Sequence, residues 1–245
     1  MDALIYTVMS GAERAMRAQQ VHANNLANLE TGGFRANLEM AGTQAVKGYG
    51  YAARHMSELQ ADAVSAKPGV QTTTGRDLDV AIQGDGLFAV EDPNGDGGEA
   101  YTRSGNFTTD ADGRLLLGGR AVMGDGGAVT LPPEHTAVVV GADGSISVQV
   151  PGQTDMQVVD KLKLVKPSMS EMTKNAAGLL VSRDGGTLSA DASVQVKGGH
   201  LEGSNVSAVE EMVATMSLNR DFEVQMKLLN KADSMADAGN RLIRE

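Results

Sequence analysis

The sequence predicts an α+β fold in which helical ends flank a central antiparallel all-β domain, and three observations carry that reading. All six prolines lie between Pro68 and Pro167, so the first 67 residues and the last 78 have none. Glycine, at 30 of 245 residues, exceeds its usual share of about 7%, yet from Ser204 to Glu245 only Gly239 occurs. Apolar residues recur at helical spacing in the ends and in short β-branched runs in the middle. Helix-permissive ends thus enclose a turn-rich centre.

Residues 1–33 make the first segment, with a helix over 2–30. Leu4, Val8, Ala12 and Ala15 sit four, four and three apart, and Leu26 and Leu29 add a later turn. Thr31-Gly32-Gly33 supplies the glycine that a helix end favours. The apolar face is thin and largely alanine. Residues 34–69 match neither period: Gly42, Gly48 and Gly50 interrupt a helix, with Tyr49 and Tyr51 among them. This segment is expected to be a linker or an extended wrap against partners.

Residues 70–200 alternate short apolar runs with glycine turns. Asp77-Leu-Asp-Val-Ala-Ile82, Leu87-Phe-Ala-Val90, Leu115-Leu-Leu117, Ala137-Val-Val-Val140, Ile146-Ser-Val-Gln-Val150 and Lys161-Leu-Lys-Leu-Val165 read as strands. Asp112-Gly113, Asp125-Gly126, Asp143-Gly144 and Asp184-Gly185 are hairpin signals. In the final segment, 201–245, a helix is expected over 204–243. Ser207-Ala-Val-Glu210 has capping-box spacing, and Glu210 and Glu211 suit the positive end of a helix. Val209, Val213, Met216, Phe222, Met226 and Leu229 then repeat at threes and fours with one gap. Forty helical residues make a rod of about 60 Å. Such a rod, with so few aromatics, wants a partner helix.

Composition narrows the function. The net charge of −10 argues against broad electrostatic binding to nucleic acid or anionic lipid. The absence of cysteine excludes disulfides, thiolate metal sites and cysteine nucleophiles. With four Tyr, four Phe and no Trp, stacking platforms for bases or sugars are not expected. No apolar window reaches the length of a membrane span. Asp2 stands where a signal peptide carries a base, so no Sec-type signal is expected.

The search for chemistry yields little. Asp92-Pro-Asn94-Gly-Asp96-Gly97 resembles the opening of a calcium loop, but the twelfth position is Arg103 instead of a bidentate glutamate. The segment Asp92–Glu99 is read as a polar surface loop. His22, His55, His135 and His200 are scattered singly, so neither metal nor other cofactor is expected. Gly84-Asp-Gly86 would repel a phosphate through Asp85. Strand alternation is expected to put Asp77 and Asp79 on a solvent face, away from any catalytic pairing. No nucleophile elbow or Walker loop occurs, so the chain is not expected to be an enzyme. A soluble enzyme or sugar-binding β domain would require a concave site with convergent polar groups.

Amides inside the helices are more informative. Asn24, Asn25 and Asn28 crowd the end of the first helix, and Asn205, Asn219, Asn230 and Asn240 punctuate the last segment. Exposed asparagines need no explanation; at a helix–helix seam they set register at some cost in stability.

Four motifs in order resemble the flagellar axial proteins of rod and hook. Asn25-Leu-Ala-Asn-Leu-Glu-Thr-Gly-Gly-Phe-Arg35 is similar to their N-terminal signature, and Leu201-Glu-Gly-Ser-Asn-Val206 with Glu211-Met212, Arg220 and Phe222-Glu223 to their C-terminal one. Leu78-Asp-Val-Ala-Ile-Gln-Gly-Asp-Gly-Leu-Phe88 and Tyr101-Thr-Arg-Ser-Gly-Asn-Phe107 resemble the strands shared by rod and hook members. The resemblance covers nearly the whole chain and implies a structural subunit of the basal-body rod. It implies terminal helices paired as a coiled-coil-like inner domain, with the β domain outside it. It also implies passage through the flagellar type III export apparatus without a cleaved signal, and helical stacking on copies of itself and other rod proteins. Neither nucleic-acid binding nor membrane insertion is implied. Within that picture, Leu4, Val8, Val213, Met216, Met226 and Leu229 are expected in the helical seam. Asn25, Asn28 and Asn205 are expected as its register-setting contacts.

Overall fold

The computed structural model describes residues 2–45, 55–92, 98–152 and 155–244. Side chains of 2–4, 41, 58–62, 240 and 242–244 lie outside that description. From the N-terminus, α1 (Asp2–Ala27) precedes β1 (Asn37–Ala45) and β2 (His55–Val64), which pair with each other. Then come β3 (Gln71–Thr73), β4 (Val80–Gln83), β5 (Leu87–Glu91), β6 (Glu99–Thr102), β7 (Thr108–Thr109) and β8 (Leu115–Leu117). The short β9 (Arg120–Ala121), β10 (Met123–Gly124) and β11 (Gly127–Ala128) lead to β12 (Ala137–Val140), β13 (Ser145–Gln149), β14 (Gln157–Lys161) and β15 (Leu164–Val165). A 3₁₀ turn (Met169–Glu171), β16 (Met172–Lys174), β17 (Leu180–Ser182), β18 (Gln195–Gly198) and β19 (His200–Glu202) follow, and α2 (Ala208–Arg244) ends the chain.

The chain divides into two compact units. The β unit holds 28–36 and 64–206; the helical unit holds α1, residues 37–63 and 207–245. In the β unit, a five-stranded sheet runs β15-β5-β6-β17-β16, beside three-stranded β12-β13-β14 and β7-β8-β9 and the pairs β4/β18, β3/β19 and β10/β11. The registers of these sheets are antiparallel, as expected from the hairpin-rich sequence. Its core gathers Val80, Ile82, Phe88, Val90, Phe107, Leu115, Ile146, Val148 and Leu162, all essentially without exposure. Phe88 and Phe107 meet edge to face at 5.2 Å, an arrangement that aligns the positive ring edge with a negative face. Asp143-Gly144 joins β12 to β13, Asp112-Gly113 lies between β7 and β8, and Asp125-Gly126 joins β10 to β11.

Three local expectations are corrected. Asp184-Gly185 makes a turn, with Gly185 N donating to Ser182 O, but joins no paired strands, because β17 and β18 belong to different sheets. Asp77 is exposed, but Asp79 is only 2% exposed and 3.6 Å from Arg76. The cause is that 77–78 form a turn and the strand begins at Val80, so alternation does not apply to this pair. Residues 93–97 lie outside the described residues, but the segment's end, Glu99, is a packed contact in place of a free loop end. Glu99 begins β6, accepts a hydrogen bond from Tyr101 Oη and pairs with Lys163 at 2.7 Å.

In the helical unit, α1 spans about 39 Å and α2 about 55 Å at 1.5 Å per residue, and they run antiparallel along each other. Ser207 precedes α2, its carbonyl accepting from Glu211 N at 3.0 Å and its hydroxyl lying 3.5 Å from Glu210 N. Residues 34–69, expected as a linker or wrap, contain the paired β1 and β2. Their pattern is inverted: Leu38 and Met40 face solvent while Asn37 and Glu39 are half-covered, Glu39 accepting from Arg14 of α1 at 3.1 Å.

Candidate functional site

In the helical unit, the covered positions of α1 include Val8, Gly11, Ala15, Ala18, His22 and Asn25, at alternating threes and fours. Those of α2 include Glu211, Thr215, Leu218, Phe222, Gln225, Leu229, Ala232, Ala236 and Gly239, with the same alternation. Small residues let the helix axes approach: Gly11 faces the Gln225 side chain so closely that a Cβ there would lie 2.7 Å from it. The seam is closed at one end by polar groups. Asn25, 1% exposed, accepts from Asn37 N at 2.8 Å and donates to Asn37 O at 3.0 Å, copying a strand's hydrogen-bonding edge. Its amide also donates to Glu211 Oε1 at 3.2 Å, while Glu211 Oε2 meets His22 Nδ1. An amide suits this place because it offers donor and acceptor side by side.

The expected seam residues divide. Val8 and Leu229 are half-covered, and the Leu4 side chain lies outside the described residues. Val213, Met216 and Met226 are exposed, Met216 at 57%. With Val209, Met212, Val224, Leu228 and Met235 they are large apolar side chains that α2 leaves exposed, interspersed with the exposed Glu210, Arg220, Glu223 and Lys227. Asn28 is half-buried and accepts from Thr31 Oγ1. Asn205 lies in the β unit, where its amide accepts from Ala36 N at 2.7 Å and donates to Lys67 O at 2.8 Å.

Sequence reasoning missed a buried ionic knot in the β unit. Glu202 is enclosed between Arg35, at 2.9 Å, and Arg103, whose Nε donates at 2.8 Å. Gly69 N also donates to Glu202 Oε1, and Arg103 donates to Gly86 O at 2.8 Å. Gly33 (φ +68°) donates to Glu202 O at 2.7 Å, and a Cβ on it would strike Ser104 N at 2.2 Å. Only glycine accepts both constraints. Burial pulls the Arg35 guanidinium below its ordinary value; Glu202 opposes this and Arg103 adds to it. Three of the sequence motifs therefore meet at one place, through Gly33 and Arg35, Arg103, and Glu202 and Asn205. The signal was present in the motifs, but it named no partner for any of the three charges. Among the described residues no cluster gathers three metal-binding side chains.

Comparison with known proteins fits this geometry. Residues 5–35 match the family described as flagella basal body rod protein, 81–148 the flagellar hook protein FlgE/F/G D1 domain, and 197–242 the flagellar basal body rod FlgEFG protein C-terminal. The chain is 38% identical to the flagellar basal-body rod protein FlgF of Salmonella typhimurium, over 99% of each chain. It is 32% identical to FlgF of Caulobacter vibrioides, over 99% of this chain and 98% of that one. Against the flagellar basal-body rod protein FlgG of Bacillus subtilis the identity is 29%, over 94% and 95%.

Proposed function

The chain belongs to the flagellar basal-body rod proteins, and from that premise we propose that it polymerises helically, with copies of itself and other rod proteins, into the torque-transmitting drive shaft. It is a structural subunit of the basal body, not an enzyme, and most like FlgF, the proximal rod protein. The opening Met1–Ala12 and the ending Asn240–Arg244 resemble that member more than the distal rod protein FlgG. The division into 1–33, 34–69, 70–200 and 201–245, the coiled-coil pairing of the ends, the periplasmic position of the rod and export through the type III apparatus without cleavage belong to the same reading.

The observation that carries it is the set of large apolar side chains that α2 leaves exposed. A helix that buries one stripe and leaves Val213, Met216, Val224, Leu228 and Met235 to water has two partners to satisfy. α1 occupies one side; a neighbouring subunit takes the other. A heterologous contact that does not close on itself builds a filament. Val213, Met216 and Met226 then serve the seam between subunits. Val8 and Leu229 serve the one within the chain, joined by Leu4, and Asn25, Asn28 and Asn205 hold local register.

The test is Met216→Asp. In the monomer an exposed substitution should change stability by no more than about 0.5 kcal/mol. In the rod each copy would carry an unpaired carboxylate into an apolar seam, costing several kcal/mol, so incorporation into basal bodies and motility should be lost. Normal rods built from Met216→Asp subunits would refute the assignment.

A further inference from the structure

A cavity of about 230 Å³ in the β unit is lined by Arg35, Arg103, Arg120 and Lys174, with Ser104 and Asn106. No aspartate or glutamate lines it, although acidic residues exceed basic ones by ten in the whole chain. Arg35 and Arg103 share one ion-pair partner, Glu202, and Asp85 acts on Arg35 from beyond ion-pair distance. Among the described residues, Arg120 and Lys174 have no carboxylate within ion-pair distance. The Nε of Arg120 is buried without an acceptor, and so is that of Arg35, a residue only 5% exposed.

Lys174 is held in an equally lopsided way. Its Nζ stands 3.8 Å from the centre of the Phe34 ring and donates to Arg35 O at 2.6 Å. One carbonyl and a ring face replace less than the water shell the ammonium has left, and burial pulls its pKa down to about 8. Two cations without a carboxylate of their own, beside a knot of two guanidinium groups on one bonded carboxylate, make an environment that one anion would complete. The volume exceeds the roughly 30 Å³ of a water molecule several-fold.

We propose that this cavity is an oxyanion site, with Arg120 and Lys174 as its charged donors, that takes a carboxylate or a phosphate-sized anion. The site is independent of the helical surface on which the rod reading rests. The anion has two available sources, a free ion in solution or an acidic side chain of a second copy of this chain.

The experiment follows the Lys174 side-chain resonance in the full-length chain labelled with ¹³Cε-lysine, assigned through Lys174→Arg. In one arm inorganic phosphate replaces chloride at constant ionic strength. In the other, protein concentration is raised in phosphate-free chloride buffer. A saturable Lys174 shift with phosphate, with its titration midpoint raised by about one pH unit, supports the site with a free anion as ligand. A shift that follows protein concentration instead supports it with a neighbour's carboxylate as ligand. In either case Arg120→Gln should weaken the response about tenfold, since it removes one charge-assisted donor. A Lys174 resonance unmoved in both arms, or moved equally in Arg120→Gln, overturns the proposal; the wild-type arms decide it even if that variant does not fold.

Discussion

The β unit and the helical unit bury opposite things. The β unit encloses most of its large apolar side chains, with Phe88, Phe107, Leu87, Leu115 and Ile146 almost wholly covered, and leaves Val70, Val139, Met156, Val158 and Val159 exposed. The described core of the helical unit is made of small or polar groups, Ala12, Ala15, Ala18, Ala232 and Asn25, while Met9, Met16, Met212, Met216 and Met235 stay in water. Burial of apolar area, at about 25 cal/mol per Å², offsets the entropy of ordering the chain. One unit therefore carries its own stability, and the other has its largest apolar surfaces still to bury. That difference is what a subunit built for assembly requires.

The strongest way to break this comparison is proteolysis of a verified monomer. Cleavage should remove α1, the β1–β2 ribbon and α2 and leave a core close to residues 64–206, with 28–36 held on it through Arg35, as followed by mass spectrometry. Protection of the first 27 residues equal to that of the β unit would mean that the helical pair is stable without a partner.

Next in size is Glu202→Ala. It leaves Arg35 and Arg103 buried without their carboxylate, a loss of about 3–5 kcal/mol for a broken buried pair. Urea unfolding followed by signals of the β unit should show this. Replacing the whole triad by apolar residues of similar size should cost much less, because the penalty comes from the uncompensated charges.

Asn25→Ala sharpens the contrast from the other side. It strands the Asn37 N–H and C=O and one oxygen of Glu211, each previously bonded to the same amide. The expected loss is about 1–3 kcal/mol, confined to the helical unit. Hydrogen exchange should rise in α1, β1 and the start of α2 and stay unchanged in β4–β6.

The smallest effect is a pH signature belonging to the β unit. Lys174 has a pKa of about 8 when folded, against an ordinary value near 10.4. Between those values the unfolded chain binds more protons, so this residue's contribution makes stability rise with pH through that window. Tyr101 behaves oppositely: burial pushes it up to about 12, against about 10 unfolded, so its contribution is lost as pH rises from about 10 to 12. The difference in melting temperature between wild type and Lys174→Met should therefore change between pH 8 and 10. A difference that stays flat across that range would show Lys174 to be solvated in the folded chain.

The sequence by itself determined the helical ends, the antiparallel centre and six of its strands, β4, β5, β8, β12, β13 and β15. These follow from local physics: proline and glycine placement, two competing periods, and Asp-Gly pairs whose backbone suits a hairpin. It carried family motifs as well, but as strings of residues without a reason for each. Tertiary structure decided what those residues are for. Arg35, Arg103 and Glu202 are separated by 68 and 99 positions, and no spacing rule links charges that far apart until folding removes them from water together. The β1–β2 ribbon escaped a periodicity reading because Leu38 and Met40 point outward while their polar neighbours turn inward. The face of α2 was divided in the same way. The apolar repeat marked Val213, Met216 and Met226, but α1 packs on the set containing Thr215, Leu218, Phe222, Gln225 and Ala232, where small and polar side chains permit close approach. Hydrophobicity marks surfaces that must be covered, and only the packed chain shows which one it covers itself.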